Sequence, residues 1–535
     1  ERPTAMLSGW WIVWTVLTPI VGALISGALL QYVVPNARGS GIPQVKIAFA
    51  KNERVRARDA IGKFVLSSIQ IGTGSSLGRE GPTVQICAGV ASSLGRVGGI
   101  SRKSMRRLIP VGAAAGIAAA FNAPIAAVTF TIEEVVGNLD QAVLSGVIIA
   151  AAIAAVIERS VLGEHPIFAV PQTYGLTHVS SLMVYALIGL AAAPVSILFT
   201  DSLLALRRKF RASRIPPWAR PGVGGLVTGV LAAAAWGWFA TRGVTGGGYD
   251  VLGQALTGQL AVKVMLVLCA MKIVATVSSY ASGGAGGLFA PTLFIGGTLG
   301  GVIGQLDHVL LHHNEPLGAF ALVGMGAVFA GIIRAPMTSV LIIIEMTGGY
   351  SLILPLMIAN MTAYVLARHW RPTPIYDALL LQDGIHLADA AVLNALEDLP
   401  LRRIPRHTSF VSFPIGAHAD EIIAASSSRP KQDVYPVLGA QGQLVGIITP
   451  EEIGILLSEP DLMPLVNAAD LMRPAVFATL DDDLGVTLDL MIKGDLLQLP
   501  IADETGHCVG LVSEAEIAKA YLQNRRPRSI PPPPL

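Results

Sequence analysis

Long apolar runs follow one another through the first 370 residues, at 9–34, 108–132, 142–157, 181–200, 222–240, 259–279, 288–305, 319–345 and 352–367. Some reach the ~20 residues a helix needs to cross a bilayer, while others are shorter or broken by glycine and proline. Broken helices at membrane depth are tolerated where they line a cavity or are buried in protein. The pattern is that of a transporter more than of a receptor. Beyond about residue 395, short β-branched runs alternate with amphipathic helices, which predicts a soluble α/β region. Basic clusters stand between the apolar runs at Arg54–Arg58, Arg102–Arg107, Arg207–Arg214 and Arg368–Arg371. Without a settled helix count, the positive-inside rule does not orient them one by one.

Both regions contain their own duplication. Glu80-Gly81-Pro82-Thr83 with Gly95 returns 209 positions later as Phe289-Ala290-Pro291-Thr292 with Gly304. A second block, Asn122-Ala123-Pro124 to Ile132-Glu133, returns 212 positions later as Arg334-Ala335-Pro336 to Ile344-Glu345. Two matches in one order at nearly one offset make a repeat, with halves at about 9–165 and 180–370, and place a transport site at their interface. In the soluble region, Val434-Tyr435-Pro436-Val437 and Leu444 to Thr449 recur 64 positions on as Gln498 to Ile501 and Cys508 to Ser513. The tail 525–535 is basic and then proline-rich, and is read as a disordered end rather than a peptide ligand.

Composition supports the membrane reading. Of 535 residues, 52% are hydrophobic and only 14% charged, against about a quarter charged in a soluble domain. A net charge of +2 gives no bias toward nucleic acid. Cys87, Cys269 and Cys508 are too scattered for a disulfide framework or a metal cluster. His312-His313 is weak evidence for a metal, and no metal is assigned.

Three segments share one design: Gly39-Ser40-Gly41-Ile42-Pro43, Gly78-Arg79-Glu80-Gly81-Pro82 and Gly287-Leu288-Phe289-Ala290-Pro291. Each sets glycine before a proline that can open a helix, since its missing N–H costs nothing in the first turn. A helix N-terminus carries about half a positive charge and bare amides. Several of them aimed at one point would hold a small anion without a cation to trap it. For a single motif, a helix break made for packing would be the better reading; three on a duplicated scaffold favour the anion site. Glu80 is an acid within an apolar region, a functional candidate by position. It can occupy an anion's place when ionised and leave it when protonated; the plain alternative is a carboxylate capping a helix. Ser40 and Tyr376 offer hydroxyl donors. Glu133 and Glu134 end an apolar run. Glu133 has a repeat mate, Glu345, and is read as structural, whereas Met346 stands opposite Glu134.

These motifs, together with Asn122-Ala123-Pro124 and Thr373-Pro374-Ile375-Tyr376, closely resemble the signatures of the CLC family of chloride channels and chloride/proton antiporters. The resemblance covers most of 9–385. It implies a polytopic all-α membrane domain (1–385) of two inverted repeats with broken helices, working as a homodimer with an anion pathway in each subunit. It further implies that Glu80 is the gate and outer proton acceptor, and Glu134 the inner proton-transfer acid that channels usually lack. Chloride would be held by Ser40, Gly41, Ile42, Gly81, Phe289, Ala290 and Tyr376; a serine at position 40 rather than proline favours chloride over nitrate. The family has a further membrane helix and a short cytosolic helix ahead of Ser40; the expectation is that this sequence is truncated rather than that this member has lost them.

Residues 386–524 resemble a cytosolic pair of CBS domains, at about 395–462 and 463–524. The likeness implies an adenine nucleotide (ATP, ADP or AMP) at Thr449 with Glu452 and Ser513 with Glu516, although the usual acid of the pattern is aspartate. A dimerisation and gating module with an empty cleft is the other reading. For the whole chain, chloride/proton antiport is the expectation, without a required cofactor or enzymatic activity. A passive chloride channel is the alternative. A CBS-regulated magnesium transporter is more distant, because it would need pore-facing acids. A membrane enzyme built on Ser40 lacks a histidine or lysine base that the sequence can place beside it.

Overall fold

The computed structural model describes residues 9–51, 53–100, 102–137, 141–163, 167, 168, 170, 174, 180–310, 315–385, 399–427, 432–458 and 460–524. His312, His313 and the tail 525–535 lie outside these. The chain divides into two compact units, Glu1–Leu387 and Ala388–Leu535.

The first unit is helical. Its first half holds α1 (Trp10–Tyr32), α2 (Ile42–Ala50), α3 (Ala57–Gly72), α4 (Glu80–Val97), α5 (Arg102–Phe121), α6 (Pro124–Phe130) with a following π-helical turn (Thr131–Val136), and α7 (Gln141–Leu162). Its second half holds α8 (Ser181–Ala212), α9 (Arg220–Phe239), α10 (Tyr249–Leu256), α11 (Val262–Ala281), α12 (Phe289–Leu310), α13 (Leu317–Ile333), α14 (Pro336–Thr347), α15 (Ile353–Trp370) and α16 (Ile375–Gln382). The packing repeats: α5 lies on α4 and α7 as α13 lies on α12 and α15, while α1 meets α9 and α6 meets α14 across the halves.

Among the described residues seven helices are long and apolar enough to cross a membrane, and the protein is an integral, multi-pass membrane protein. The apolar stretch of α7 is only 22% buried whereas that of α12 is 72% buried, so α7 turns its side chains outward and α12 lies in the protein's own core. Two apolar runs read as single stretches, 108–132 and 319–345, are each broken in the structure, at Asn122-Ala123-Pro124 and Arg334-Ala335-Pro336. The proline there begins a new helix because it cannot continue the old one. The helices α3 and α4 escaped the hydropathy reading. They bury Lys63, Ser67 and Gln70, and Glu80, Gln85 and Ser92, and a helix enclosed by protein need not be apolar to sit at membrane depth.

The structure also orients three of the basic clusters. Arg106 donates to the Phe49 carbonyl at the end of α2, Arg207 and Arg211 hold Asp383 at the end of α16, and α2 packs against α16. A cavity of about 850 Å³ brings Arg54, Arg56 and Arg58 together with Arg96 and Met105, beside the start of α5. These clusters share one side, which the positive-inside rule assigns to the cytoplasm.

The second unit is α/β and carries its repeat in the strands. Strands β1 (Phe413–Pro414), β2 (Tyr435–Leu438), β3 (Leu444–Ile448) and β4 (Arg473–Pro474) form one sheet in that order. Strands β5 (Ala478–Thr479), β6 (Gln498–Ala502) and β7 (Cys508–Ser513) form the other. In each sheet the first pair is parallel and the next antiparallel, and a helix follows the last strand of each hairpin, at Pro450–Ser458 and Glu514–Asn524.

Candidate anion site

The three glycine-rich segments meet at the centre of the first unit. Gly78 and Gly287 exchange backbone hydrogen bonds of 2.8 and 2.7 Å. The Gly39 amide donates to the Gly284 carbonyl at 3.0 Å, and the Gly286 amide to the Gly39 carbonyl at 3.1 Å. These bonds join loops more than 200 residues apart and aim the starts of α2, α4 and α12 toward one another. Gly81 makes the approach feasible, because a Cβ there would lie 2.5 Å from Ser40 Oγ and 2.7 Å from the Ser40 carbonyl.

Each proline falls in the first turn of its helix but none is the first residue. Pro43 is the second residue of α2, whereas Pro82 and Pro291 are the third residues of α4 and α12. The amides of the first turn have no intrahelical acceptor, so proline at the third position sacrifices no bond. It also leaves Glu80, Gly81, Phe289 and Ala290 ahead of it with their amides available.

Ser40, Ile42, Phe289, Ala290 and Tyr376 are fully buried, and Glu80 is 1% exposed. Ser40 Oγ, Tyr376 Oη and Glu80 Oε2 are buried and make no hydrogen bond. Burying such groups is expensive unless a partner is met, and here three collect around the same helix starts. Tyr376 stands within electrostatic reach of Ser40, Tyr280, Glu134 and Glu80. Phe289 is wedged among Phe121, Phe130 and Phe329, with ring centroids 5.8, 5.1 and 4.9 Å away, which fixes the beginning of α12.

Several partners were not apparent in the sequence. The Ser40 amide donates to the Tyr280 hydroxyl at 3.3 Å. Tyr249, at the start of α10, donates to Glu80 Oε1 at 2.6 Å. Lys46 binds Glu134 Oε1 at 2.8 Å and Asp377 Oδ1 at 2.6 Å. Glu134 sits in the π-helical turn with 5% side-chain exposure, whereas Asp377 is 39% exposed. The bridge therefore runs from a buried acid to one that water reaches, next to Tyr376. A lysine does approach Ser40: Lys63 donates to the carbonyls of Ala37 and Gly39. Those bonds make it a clamp on the loop rather than a base for the serine. Glu133 accepts from the Met337 and Thr338 amides, at the head of α14.

In the second unit, the proposed nucleotide residues turn toward each other. Thr449 donates to Glu452 Oε2 from both amide (2.8 Å) and hydroxyl (2.6 Å), and Arg473 takes the other carboxylate oxygen. Ser513 donates to Glu516 Oε2 in the same way at 2.9 and 3.2 Å, with His407 3.1 Å from Oε1. Each acid thus caps the helix in which it stands.

Comparison with known proteins agrees with this architecture. The family model described as voltage gated chloride channel matches residues 22–368, and that of the CBS domain matches 468–523. A ClcB-like chloride channel relative from Ralstonia nicotianae is 34% identical over 71% of this chain and 88% of its own length. The H(+)/Cl(-) exchange transporter ClcA of Vibrio campbellii is 34% identical over 68% of this chain and 79% of its own. Among solved structures, a slow cyanobacterial Cl-/H+ antiporter superposes with a TM-score of 0.65 at 27% identity, covering 71% of this chain and 89% of that one. A eukaryotic CLC transporter, at 20% identity and a TM-score of 0.62, covers 94% of this chain and 89% of its own and shares the fold through both units. The meeting of three glycine-led helix starts on a duplicated helical scaffold, and a family match over most of the first unit, place this chain in the voltage-gated chloride channel (CLC) family, with CBS domains at its C-terminus.

Proposed function

We propose that the protein moves chloride across the membrane in exchange for protons, with Glu80 as gate and Glu134 as the acid that passes protons to the cytoplasm. The observation that carries the reading is the position of Glu80. Its buried carboxylate heads α4, and one oxygen without a hydrogen-bond partner lies over Gly78 beside the start of α12. An ionised carboxylate there competes with an anion for the same amides, and protonation removes the competition. Ser40 and Tyr376, whose hydroxyls lack partners, close the site from the cytoplasmic side. The amides of Ile42, Gly81, Phe289 and Ala290 point their partial charges into it, and Gly41 lets the α2 loop approach.

Two further elements belong to the reading: a homodimer in which each subunit has its own pathway, and a CBS pair in the cytoplasm that regulates transport. The chain leaves α16 on the basic side, which supports the cytoplasmic placement. The inward-turned Glu452 and Glu516 favour a dimerisation and gating role for the CBS pair over a nucleotide site.

The test is proton movement in chloride-loaded liposomes driven only by a chloride gradient. Uphill proton pumping by the wild type, lost in Glu80→Ala while chloride still flows, is the expected result. Chloride flux without pumping in the wild type would make the protein a passive channel. That second reading draws on the Lys46 ion pair, which ties up the Glu134 carboxylate that would have to carry the proton.

A further inference from the structure

Lys272 in α11 is fully buried and makes no salt bridge among the described residues. Its three N–H groups are instead shared among the carbonyls of Gly243 (3.2 Å), Val244 (3.2 Å), Thr245 (3.5 Å) and Gly246 (2.6 Å), with the Phe294 ring centroid 5.1 Å away. The clamped segment runs directly into Gly248 and Tyr249, and the Tyr249 hydroxyl ends on Glu80 Oε1 at 2.6 Å. A buried ammonium needs acceptors to be tolerated, and this one takes all of them from a single loop.

The first repeat contains the same device. Lys63, 209 positions before Lys272, is also fully buried and holds the Ala37 and Gly39 carbonyls. Its loop, Gly39-Ser40-Gly41-Ile42, corresponds to Gly246-Gly247-Gly248-Tyr249. Gly41 and Gly248 have φ of 101° and 78° and lead into α2 and α10 respectively, conformations that a side chain would strain. Two loops, each pinned by a buried lysine, thus reach the site from the two repeats. One presents the Ser40 hydroxyl; the other presents the Tyr249 hydroxyl to the carboxylate.

We propose that Tyr249 is a latch on the gate: its hydroxyl holds the Glu80 carboxylate in the blocking position, and Lys272 positions the latch by fixing its loop. The inference rests on Glu80 being the gate. Tyr249 touches the gate rather than the anion, so it is a positioning residue. A hydrogen bond to an ionised acceptor is among the stronger ones, and the gate must break it to swing away.

The test compares Tyr249→Phe, Glu80→Ala and the double variant in liposomes, reading chloride flux and protons moved per chloride. Tyr249→Phe alone should raise chloride flux about tenfold, the effect of one such bond, and lower the proton ratio. Added to Glu80→Ala, it should change neither. Lys272→Met should act in the same direction as Tyr249→Phe, and Lys272→Arg should restore wild-type values by keeping donors on the loop. Equal effects of Tyr249→Phe with and without Glu80, or no effect in either background, would overturn the latch. Proton coupling that survives in Glu80→Ala would overturn the gate itself, and that single variant shows it whatever Tyr249 does.

Discussion

Glu133 and Glu345 each cap the helix from which the other projects. Glu133, in the turn that follows α6, accepts from the Met337 and Thr338 amides and from the Thr338 hydroxyl at the head of α14. Glu345, near the end of α14, accepts from the Ile125 and Ala126 amides at the head of α6. Carboxylates at helix N-termini satisfy orphan donors and meet the positive end of the dipole. Here the exchange ties the two repeats together.

Glu133→Gln and Glu345→Gln should therefore each lower stability by roughly 1 kcal/mol, the worth of an N-terminal cap. Their effect on protons moved per chloride should be nil. Thermal unfolding in detergent together with the liposome assay checks both statements; a changed ratio would mean that Glu133 shares the work of Glu134.

Lys46 is expected to matter for both stability and transport. In Lys46→Met, Glu134 and Asp377 lose their common cation, and breaking a largely buried pair costs on the order of 3 kcal/mol. If Lys46 restrains proton uptake by Glu134, the variant should move more protons per chloride than the wild type. An unchanged ratio would assign the lysine to structure alone.

Ser40→Pro removes the amide that reaches Tyr280 and the hydroxyl that faces the site. Nitrate flux relative to chloride flux should rise several-fold, read by anion exchange in the same vesicles, and an unaltered preference would take selectivity away from this position.

In the CBS region, pH acts through Glu452. Burial pushes its carboxyl up, but the hydrogen bonds from Thr449 and the Arg473 guanidinium more than offset this, so its pKa lies below the ordinary carboxylate value. The stabilisation is fully present above that ordinary value, about pH 4.3, and is lost as pH falls through the lower, folded one. Scanning calorimetry of the full chain should show a constant contribution from this group between pH 5 and 8 and a loss of stability below about pH 4. Glu452→Gln should flatten that acid limb.

Glu452 and its counterpart Glu516 also bear on nucleotides. With Thr449 engaged by Glu452 and Ser513 by Glu516, millimolar ATP or AMP should leave the melting of the full chain unmoved. A rise in Tm that Glu452→Gln abolishes would establish a nucleotide site after all.

What could be read in advance was local. The three glycine-led motifs, the duplicated blocks and the strand pairs lie in contiguous residues whose spacing speaks for itself. Partners remote in sequence were silent: Tyr249 lies 169 positions from Glu80, and Lys46 88 from Glu134. A signal for the first did exist. Gly246-Gly247-Gly248-Tyr249 follows Gly39-Ser40-Gly41-Ile42 by 207 positions, close to the 209 that separate Lys272 from Lys63. The loop lacks the proline that drew attention to the others, and a lysine amid apolar residues reads as an interruption until its carbonyl acceptors are in view. Likewise α3 and α4 were hidden by the polar side chains that they turn into the protein.

The strand-like bonds between Gly78 and Gly287, and between Gly39 and the Gly284–Gly286 segment, also bear on how the molecule is made. Neither half owns the candidate anion site, and with Tyr376 among its residues it is complete only once α16 has been made. Until the second half is made, Gln70 lacks the Ala285 amide and Glu80 the Tyr249 hydroxyl. The first repeat is therefore made with polar groups whose partners only the second repeat supplies.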